Sequence, residues 1–248
     1  MTFFKKYQKC ILFVILLISY QKIFGIEPLK IVTGNDFLPY TDEKLKNGGL
    51  FTSIYTTILK KIKIPYTIEF LPWARGYEML KHEKFDVSFP YAPTKERASE
   101  VKYSKISLTS SDIYIYSNSN YRNTKNAYDF RNGTYCGAVG YYIEDVFLNM
   151  INKNELKKMS QFDEKSCLLA VINNDASLFV TNENQMKEYK KQKISNFDRI
   201  IRIGKPLKKM ELYAIYNKKI DDKIIKMIDN EAARFLNTNE YRKLINSY

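Results

Sequence analysis

Arg97 is the residue of this chain best suited to hold an anionic ligand. It ends the polar run 94–97, Thr-Lys-Glu-Arg. A guanidinium presents a planar fork that can make two parallel hydrogen bonds to a carboxylate, a geometry that lysine cannot reproduce. The alternative is a surface arginine at a helix start, paired with Glu96 or Glu100. The residue type favours a role in carboxylate binding, and a structural ion pair remains the alternative.

Large aromatic residues fall in predicted loops before this region. They are Phe37, Tyr40, Trp73 and Tyr91. Their rings could line a ligand-binding cleft or pack in a core, since large rings most often serve packing. Both interpretations stay open at the level of residue type.

Residues for metal or covalent catalysis are scarce. The chain has one histidine, His82, in a polar stretch where a solvent-facing position is expected, and three cysteines in all. This set does not make a zinc site, and the sequence has neither a G-x-S-x-G elbow nor a glycine-rich phosphate loop. We therefore expect a binding protein without enzymatic activity, cofactor or metal.

The chain is basic, with a formal net charge of +13. Its lysines are scattered and not gathered on one element, which favours a solvated, lysine-rich surface over a nucleic-acid-binding surface. An anionic solute and membrane headgroups are the other interpretations of this charge. We expect no nucleic-acid partner.

Residues 1–25 have the pattern of a secretory signal peptide. Three lysines precede an apolar run, residues 11–18, that is shorter than the roughly 20 residues of a membrane span. We predict cleavage after Gly25, export to the periplasm and a soluble mature chain. The removed segment holds four lysines and no acids, so the formal charge would fall to +9. A retained N-terminal anchor is the alternative.

Two cysteines, Cys136 and Cys167, remain after the predicted cleavage, because Cys10 falls within the leader. In an oxidising compartment two such residues can form one disulfide. The alternative is a pair of buried thiols that behave as small apolar side chains.

Apolar patterns divide the rest of the chain into two alternating α/β units. In the first, predicted strands at 29–33, 66–71 and 85–89 alternate with predicted helices at 50–62 and 75–81. This order is typical of a parallel sheet, whose ligand site lies beyond the carboxyl ends of the strands.

A second unit follows the polar stretch 117–126, which we interpret as a crossing between lobes. Its predicted elements are strands at 133–139 and 177–181 and helices at 143–151 and 165–173. A strand at 211–216 and a helix at 221–236 indicate a return to the first unit. Two crossings predict a hinged clamshell with a cleft for a small ligand. The predicted domains are 26–116 for lobe 1, 117–211 for lobe 2 and 212–248 for the return.

The aromatic and basic stretch 71–103 resembles the periplasmic solute-binding proteins of family 3, which serve importers of polar amino acids and similar solutes. The sequence of this stretch is LPWARGYEMLKHEKFDVSFPYAPTKERASEVKY. The resemblance covers nearly all of residues 27–248. It implies an α/β fold of the periplasmic-binding-protein-like type II class, with two α/β lobes joined by a two-strand hinge. It also implies a monomer that captures a small polar, amino-acid-like or carboxylate-bearing solute and delivers it to the permease of an ABC importer.

The resemblance also assigns ligand-binding residues. In amino-acid binders the arginine matching Arg97 holds the ligand carboxylate, and backbone amides at a helix start, here next to Gly140, hold an anionic group. The full set that we expect to bind ligand is Phe37, Tyr40, Trp73, Tyr91, Ala92, Arg97, Tyr141, Tyr142 and Asn182.

This chain departs from the family pattern at the carboxylate and ammonium positions. Ala92 stands where amino-acid binders usually carry a threonine or serine, and Tyr91 replaces a small residue. Val180 or Asn182 stands near the position where amino-acid binders usually carry the acid that holds the ligand ammonium. Thr94 could supply a hydroxyl instead. These departures weaken the assignment to an α-amino acid and leave the ammonium without an evident partner.

Two alternative functions share this scaffold. One is a ligand-sensing module that hands its closed form to a membrane receptor. The other is a dehydratase, in which a cleft acid such as Asp36 or Glu144 would act on a bound carboxylate.

Overall fold

The computed structural model describes residues 27–248, which form a mixed β-sheet flanked by helices. The strands are β1 (Leu29–Thr33), β2 (Tyr66–Phe70), β3 (Val87–Tyr91), β4 (Lys102–Tyr103), β5 (Thr109–Asn118), β6 (Thr134–Ala138), β7 (Lys157–Gln161), β8 (Leu178–Asn182) and β9 (Ile200–Tyr216). The helices are α1 (Leu50–Lys61), α2 (Trp73–Lys81), α3 (Lys95–Glu100), α4 (Asp145–Asn152), α5 (Glu164–Ile172), α6 (Glu183–Lys191), α7 (Asp222–Phe235) and α8 (Asn239–Ile245).

The strand order is β2-β1-β3-β9-β5-β8-β6-β7, with β4 paired to β9. Within this order β1 runs parallel to β2 and β3, and β6 runs parallel to β7 and β8. We call β1–β4 with α1–α3, α7 and α8 the first lobe, and β6–β8 with α4–α6 the second lobe. The two sets of parallel strands place the carboxyl ends of both lobes at the gap between them.

Helix α1 shows why the first lobe is stable. Its apolar residues recur every three or four positions, so Ile54 and Ile58 lie on one face and are fully buried. They pack in one cluster with Phe89 of β3 and Phe235 of α7. Helix α7, from the end of the chain, thus completes the core of the first lobe.

Strands β5 and β9 connect the lobes. Residues Ile115–Asn118 of β5 pair with Ile200–Ile203 of β9, while the last residues of β9 pair with β3 and β4. The register between β5 and β9 shifts between Ile113 and Ile115. The predicted lobe borders at 116/117 and 211/212 therefore fall inside continuous strands, and the exact division stays a prediction.

In the second lobe, Cys136 of β6 and Cys167 of α5 form a disulfide, with a Cα–Cα distance of 5.4 Å. Both residues are buried in one cluster with Leu168 and Phe179. The bond fastens helix α5 to the sheet, and α5 carries a residue of the cleft described below.

The predicted signal peptide, residues 1–25, lies outside the described residues. Of the helices found in residues 27–248, none combines the length and apolar character needed to cross a bilayer.

Candidate ligand-binding cleft

A cavity of about 100 Å³ lies between the lobes. Ligand sites for drug-sized molecules commonly measure roughly 300–1,000 Å³, so this arrangement leaves room only for a small solute. Strands β5 and β9 contribute Ser111, Ile113, Met210 and Leu212 to its lining. The sequence-predicted residues that line it are Phe37, Trp73, Tyr91, Ala92, Arg97, Tyr141, Tyr142 and Asn182.

Arg97 reaches this cavity from the start of α3. The Thr94 hydroxyl accepts a hydrogen bond from the Arg97 backbone N–H at 3.0 Å and so caps the helix. Thr94 is therefore used locally, and it does not line the cavity as the missing hydroxyl. The guanidinium carbon lies 5.1 Å from the centroid of the Tyr91 ring, a distance suited to a cation–π contact.

Two of the five guanidinium N–H donors of Arg97 are engaged by carbonyl groups. Arg97 Nη1 donates to the Ala92 carbonyl at 3.2 Å, and Nη2 donates to the Gly140 carbonyl at 3.0 Å. In the described part of the chain no carboxylate oxygen lies within 4.0 Å of the guanidinium. Glu100 instead pairs with Lys81 at 3.0 Å. Arg97 thus faces the cleft and not a surface acid.

The Trp73 ring forms one wall of the cavity. A Cβ at position 34 would come within 2.1 Å of this ring, so Gly34 allows the indole to lie directly on the backbone. Trp73 Nε1 donates to the Asn35 carbonyl at 2.9 Å. Its ring meets Tyr91 and Tyr141 edge to face, at centroid distances of 5.7 and 5.9 Å.

Phe37 and Tyr40 have different positions. Phe37 lines the cavity and meets Tyr141 edge to face at 6.2 Å. Tyr40 is only 2% exposed and stacks behind Phe37 at 4.9 Å. It does not line the cavity, so among the expected ligand-binding residues Tyr40 supports a cavity wall and does not face the cavity.

The lobes touch across the cleft at several points besides Arg97 and Gly140. Gln185 Nε2 donates to the Asp36 carbonyl at 3.1 Å, and Asn184 Nδ2 donates to the Tyr40 hydroxyl at 3.1 Å. These contacts join α6 of the second lobe to the loop after β1. The structure is therefore in a closed arrangement.

The turn before α4 differs from the expected anion site. Helix α4 begins at Asp145, and the Tyr141 backbone N–H donates to the Ala138 carbonyl at 3.1 Å. That amide is therefore occupied by the turn itself. The Tyr142 hydroxyl donates to Asp145 and accepts from Lys208 Nζ at 2.9 Å. The side chains of Tyr141 and Tyr142 line the cavity.

Asn182 lies at the end of β8 and serves helix α6. Its side-chain oxygen accepts from the Gln185 backbone N–H at 3.0 Å, which is an N-cap contact. Asn182 is 2% exposed and still lines the cavity. Asn182 thus both caps helix α6 and forms part of the cavity wall.

Two buried acids also line the cavity, Glu144 and Glu164. Glu144 is 7% exposed and Glu164 is 5% exposed. Burial raises the pKa of Glu144 to about 7 and that of Glu164 to about 8. The charge of Glu144 also raises the pKa of Glu164. From the sequence Glu144 is expected only as a catalytic acid, and Glu164 is not among the expected cleft residues, because burial of its side chain depends on tertiary packing.

The fold and the cleft match one protein family over almost the whole described chain. Residues 29–248 match the model of bacterial extracellular solute-binding proteins, family 3. The chain belongs to this family, which confirms the resemblance inferred from the sequence.

Solved structures of the same fold class include several binding proteins. An ancestral arginine-binding protein bound to arginine has a TM-score of 0.77 at 16% identity, covering 89% of this chain and 97% of that one. The substrate-binding protein of an amino acid ABC transporter has a TM-score of 0.73 at 16% identity, covering 90% and 99%.

A histidine kinase sensor domain similar to periplasmic binding proteins has a TM-score of 0.76 at 12% identity, covering 90% of this chain and 96% of that one. These likenesses confirm the type II periplasmic-binding-protein-like fold. Among curated proteins, none matches this sequence significantly.

Proposed function

We propose that this chain captures a small, carboxylate-bearing, amino-acid-like solute in the cleft and delivers it in the periplasm to the permease of an ABC importer. The observation that carries this proposal is the Arg97 guanidinium, which lines the cavity, lies over Tyr91 and has no acid partner in residues 27–248. Its remaining N–H donors suit a planar carboxylate.

Closure follows from the same geometry. A ligand held by Arg97 in the first lobe and by Tyr142 or Glu144 in the second would contact both lobes only in the closed arrangement. Binding would therefore shift an open–closed equilibrium towards the closed form. A membrane permease that recognises this closed form receives loaded protein preferentially.

A thermal-shift screen of amino acids, di-acids and other small carboxylates tests the proposal, because a ligand that binds the folded state raises its apparent stability. The best ligand is then titrated by calorimetry into wild-type protein, Arg97→Ala and Arg97→Lys. Loss of a buried carboxylate's partner should weaken binding by about 2–4 kcal/mol in Arg97→Ala.

Arg97→Lys should recover only part of that loss, since an ammonium cannot form the bidentate contact. The matched control is Arg199→Ala, which removes an exposed arginine outside the cavity. Unchanged affinity in Arg97→Ala would remove this residue from the site.

A sensing role is the second candidate, favoured by the likeness to a histidine kinase sensor domain. Capture and closure would be the same, and the partner would be a membrane receptor. Co-purification with a permease, against co-purification with a receptor kinase, separates the two roles.

A catalytic role is the third candidate, favoured by Glu144, whose pKa of about 7 suits a proton donor beside a bound carboxylate. A turnover assay with cyclic carboxylic acids tests it. If any of these acids loses water to give a dehydrated ring product, the protein is a dehydratase and not a binding protein.

A further inference from the structure

Glu144 and Glu164 are not used by the helices at whose starts they lie. Glu144 occupies the N-cap position of α4, yet its side chain accepts no hydrogen bond from that helix. Glu164 is the first residue of α5, where the cap is supplied by Asp163, whose Oδ1 accepts from the Ser166 N–H at 2.7 Å. Local helix capping therefore does not explain why either acid is buried.

Each of these acids has an oxygen atom without a partner in the described part of the chain. The unpartnered atoms are Glu144 Oε2 and Glu164 Oε1, and both side chains are more than nine-tenths buried. A buried carboxylate oxygen that lacks a donor is costly. Because both residues line the cavity, a bound ligand is the available source of that donor.

The hydroxyl of Thr181 lies beside Glu164 in the same cavity. Thr181 is 4% exposed, lines the cavity and has no hydrogen-bond partner in residues 27–248. Its interaction with Glu164 lowers the pKa of that acid and opposes part of the rise caused by burial. The two acids of the second lobe thus line one small space with unmet bonding capacity, and Thr181 adds a hydroxyl beside Glu164.

A metal ion does not fit this arrangement. Within residues 27–248 no group of three or more His, Cys, Asp or Glu side chains is placed to hold one. An anion would be repelled by the two acids once they ionise. An ammonium or guanidinium group carries several hydrogen-bond donors and the opposite charge, and so suits a space lined by two carboxylates.

We infer that Glu144 and Glu164 form a subsite for the cationic group, ammonium or guanidinium, of the ligand whose carboxylate contacts Arg97. This inference rests on the proposed function. It defines the ligand class as a zwitterion or a basic amino acid, and it excludes simple carboxylates and di-acids. The second lobe then contributes the cation-binding half of the cleft, and the first lobe contributes the carboxylate-binding half.

Binding of a cation requires these acids to ionise. The charged and titratable groups that face them are Tyr135, Lys208 and Asp145 for Glu144, and Asp163, Tyr116, Tyr135, Tyr141 and Tyr189 for Glu164. Most of these are acids or neutral phenols, so the ligand supplies the main stabilising charge for Glu164. Ligand binding near pH 7 should therefore release a proton.

The test compares matched probes in the wild-type protein. They are the L-amino acids, 4-aminobutanoate and 5-aminopentanoate, each paired with the carboxylic acid that lacks the amino group, with glutarate as a di-acid. A charged hydrogen bond contributes enough for the best amino compound to bind roughly tenfold or more tightly than its partner. Calorimetry in phosphate and in Tris, which differ in ionisation enthalpy, then counts the protons released on binding.

Glu144→Gln and Glu164→Gln are the diagnostic variants, and Glu43→Gln is the control for an exposed acid outside the cavity. We expect both glutamine variants to lose the preference for the amino compound, and Glu164→Gln to lose the larger part of the proton release, because Glu144 is already partly ionised near pH 7. The proton count is measured on wild-type protein, so it decides the question even if a variant folds poorly.

Three outcomes separate this inference from the proposed function. If the amino compounds bind more tightly than their partners and release protons on binding, the result supports the subsite. Carboxylates that bind through Arg97 without preference for an amino group overturn the subsite and leave the proposed function intact. Failure of every carboxylate probe to bind overturns both.

Discussion

Arg97 Nη2 donates a hydrogen bond of 3.0 Å to the Gly140 carbonyl, which joins a side chain of the first lobe to the backbone of the second. The same guanidinium lines the cavity. One residue therefore takes part in lobe closure and, in our proposal, in ligand binding. A ligand carboxylate at Arg97 would act on the position of the second lobe through this contact.

Gly140→Ala should weaken ligand binding by disfavouring closure. Gly140 has a φ of +88°, and a Cβ there would come within 2.7 Å of the Ala74 backbone nitrogen in the opposite lobe. We expect affinity for the best-binding amino acid to fall roughly tenfold or more, from backbone strain and the lost lobe contact. Calorimetry measures the affinity, and small-angle X-ray scattering measures compaction on binding.

Gly204→Ala is the matched control for Gly140→Ala. Gly204 also has a positive φ, of +64°, but its Cβ would approach the Lys125 carbonyl, away from the cleft. This variant should lose stability and keep the ligand affinity of the wild type. Wild-type affinity and compaction in Gly140→Ala would show that closure does not need this close contact.

Ligand binding should change the tryptophan fluorescence of the protein. Trp73 is the one tryptophan of the sequence, and it lines the cavity in edge contact with Tyr91 and Tyr141. A ligand that alters the polarity around the indole should shift or quench the emission. The dissociation constant from this signal should equal the calorimetric one.

Trp73→Phe is the control for the fluorescence signal. It removes the emission while keeping an aromatic wall, so calorimetric binding should persist at reduced affinity. A stabilising ligand that leaves the emission of wild-type protein unchanged would place its binding site away from Trp73.

The sequence predicts the first lobe well because its elements bury regular apolar faces. The strand predicted at 29–33 is observed as Leu29–Thr33, and the helix predicted at 50–62 as Leu50–Lys61. Strand β7 was missed because its lysines are exposed at the sheet edge and no apolar alternation marks it. Helix α6 is not predicted because most of its residues are polar or charged, and its two buried hydrophobic residues, Met186 and Tyr189, are too few to show a helical period.

For the site, the sequence was informative where a side chain acts through its own chemistry. Arg97 was predicted from residue type and motif, and the structure places it at the cavity. Glu164 was not predicted, because only the packing of α5 against the second-lobe sheet buries it. Tyr40 was predicted in the cleft and lies behind Phe37, a distinction that depends on tertiary contacts alone.

Reduction of the Cys136–Cys167 disulfide should destabilise the protein substantially. The two residues are 31 positions apart. Closing a loop of that length lowers the entropy of the unfolded chain, which raises its free energy by about 3–4 kcal/mol at room temperature. Denaturant unfolding with and without reductant measures the difference. A Cys136→Ala, Cys167→Ala double variant should show a similar loss and no response to reductant. Equal stability of the reduced and oxidised forms would contradict this expectation.

The stability of the ligand-free protein should fall as pH rises from about 5 to 8. The ordinary glutamate pKa is 4.5, and burial raises it to about 7 for Glu144 and about 8 for Glu164. In this window the folded state keeps protons that the unfolded chain has released, so the free energy of unfolding decreases with pH. The slope is about 1.4 kcal/mol per pH unit for each carboxyl that stays protonated. Glu100 and Asp129, whose pKa values are lowered, act below this window.

Denaturant unfolding of the ligand-free wild type and of the Glu144→Gln, Glu164→Gln double variant across this range measures the effect. A glutamine side chain does not ionise, so we expect the double variant to show a much flatter profile and a higher free energy of unfolding than wild type at pH 8. Glu43→Gln should keep the wild-type slope, because that acid is exposed. Wild-type stability that rises between pH 5 and 8, or a double variant that follows the wild-type curve, would show that the two carboxyls ionise normally in the folded protein. The same double variant binds amino compounds less well in the proposed subsite, so increased stability and reduced affinity should appear together.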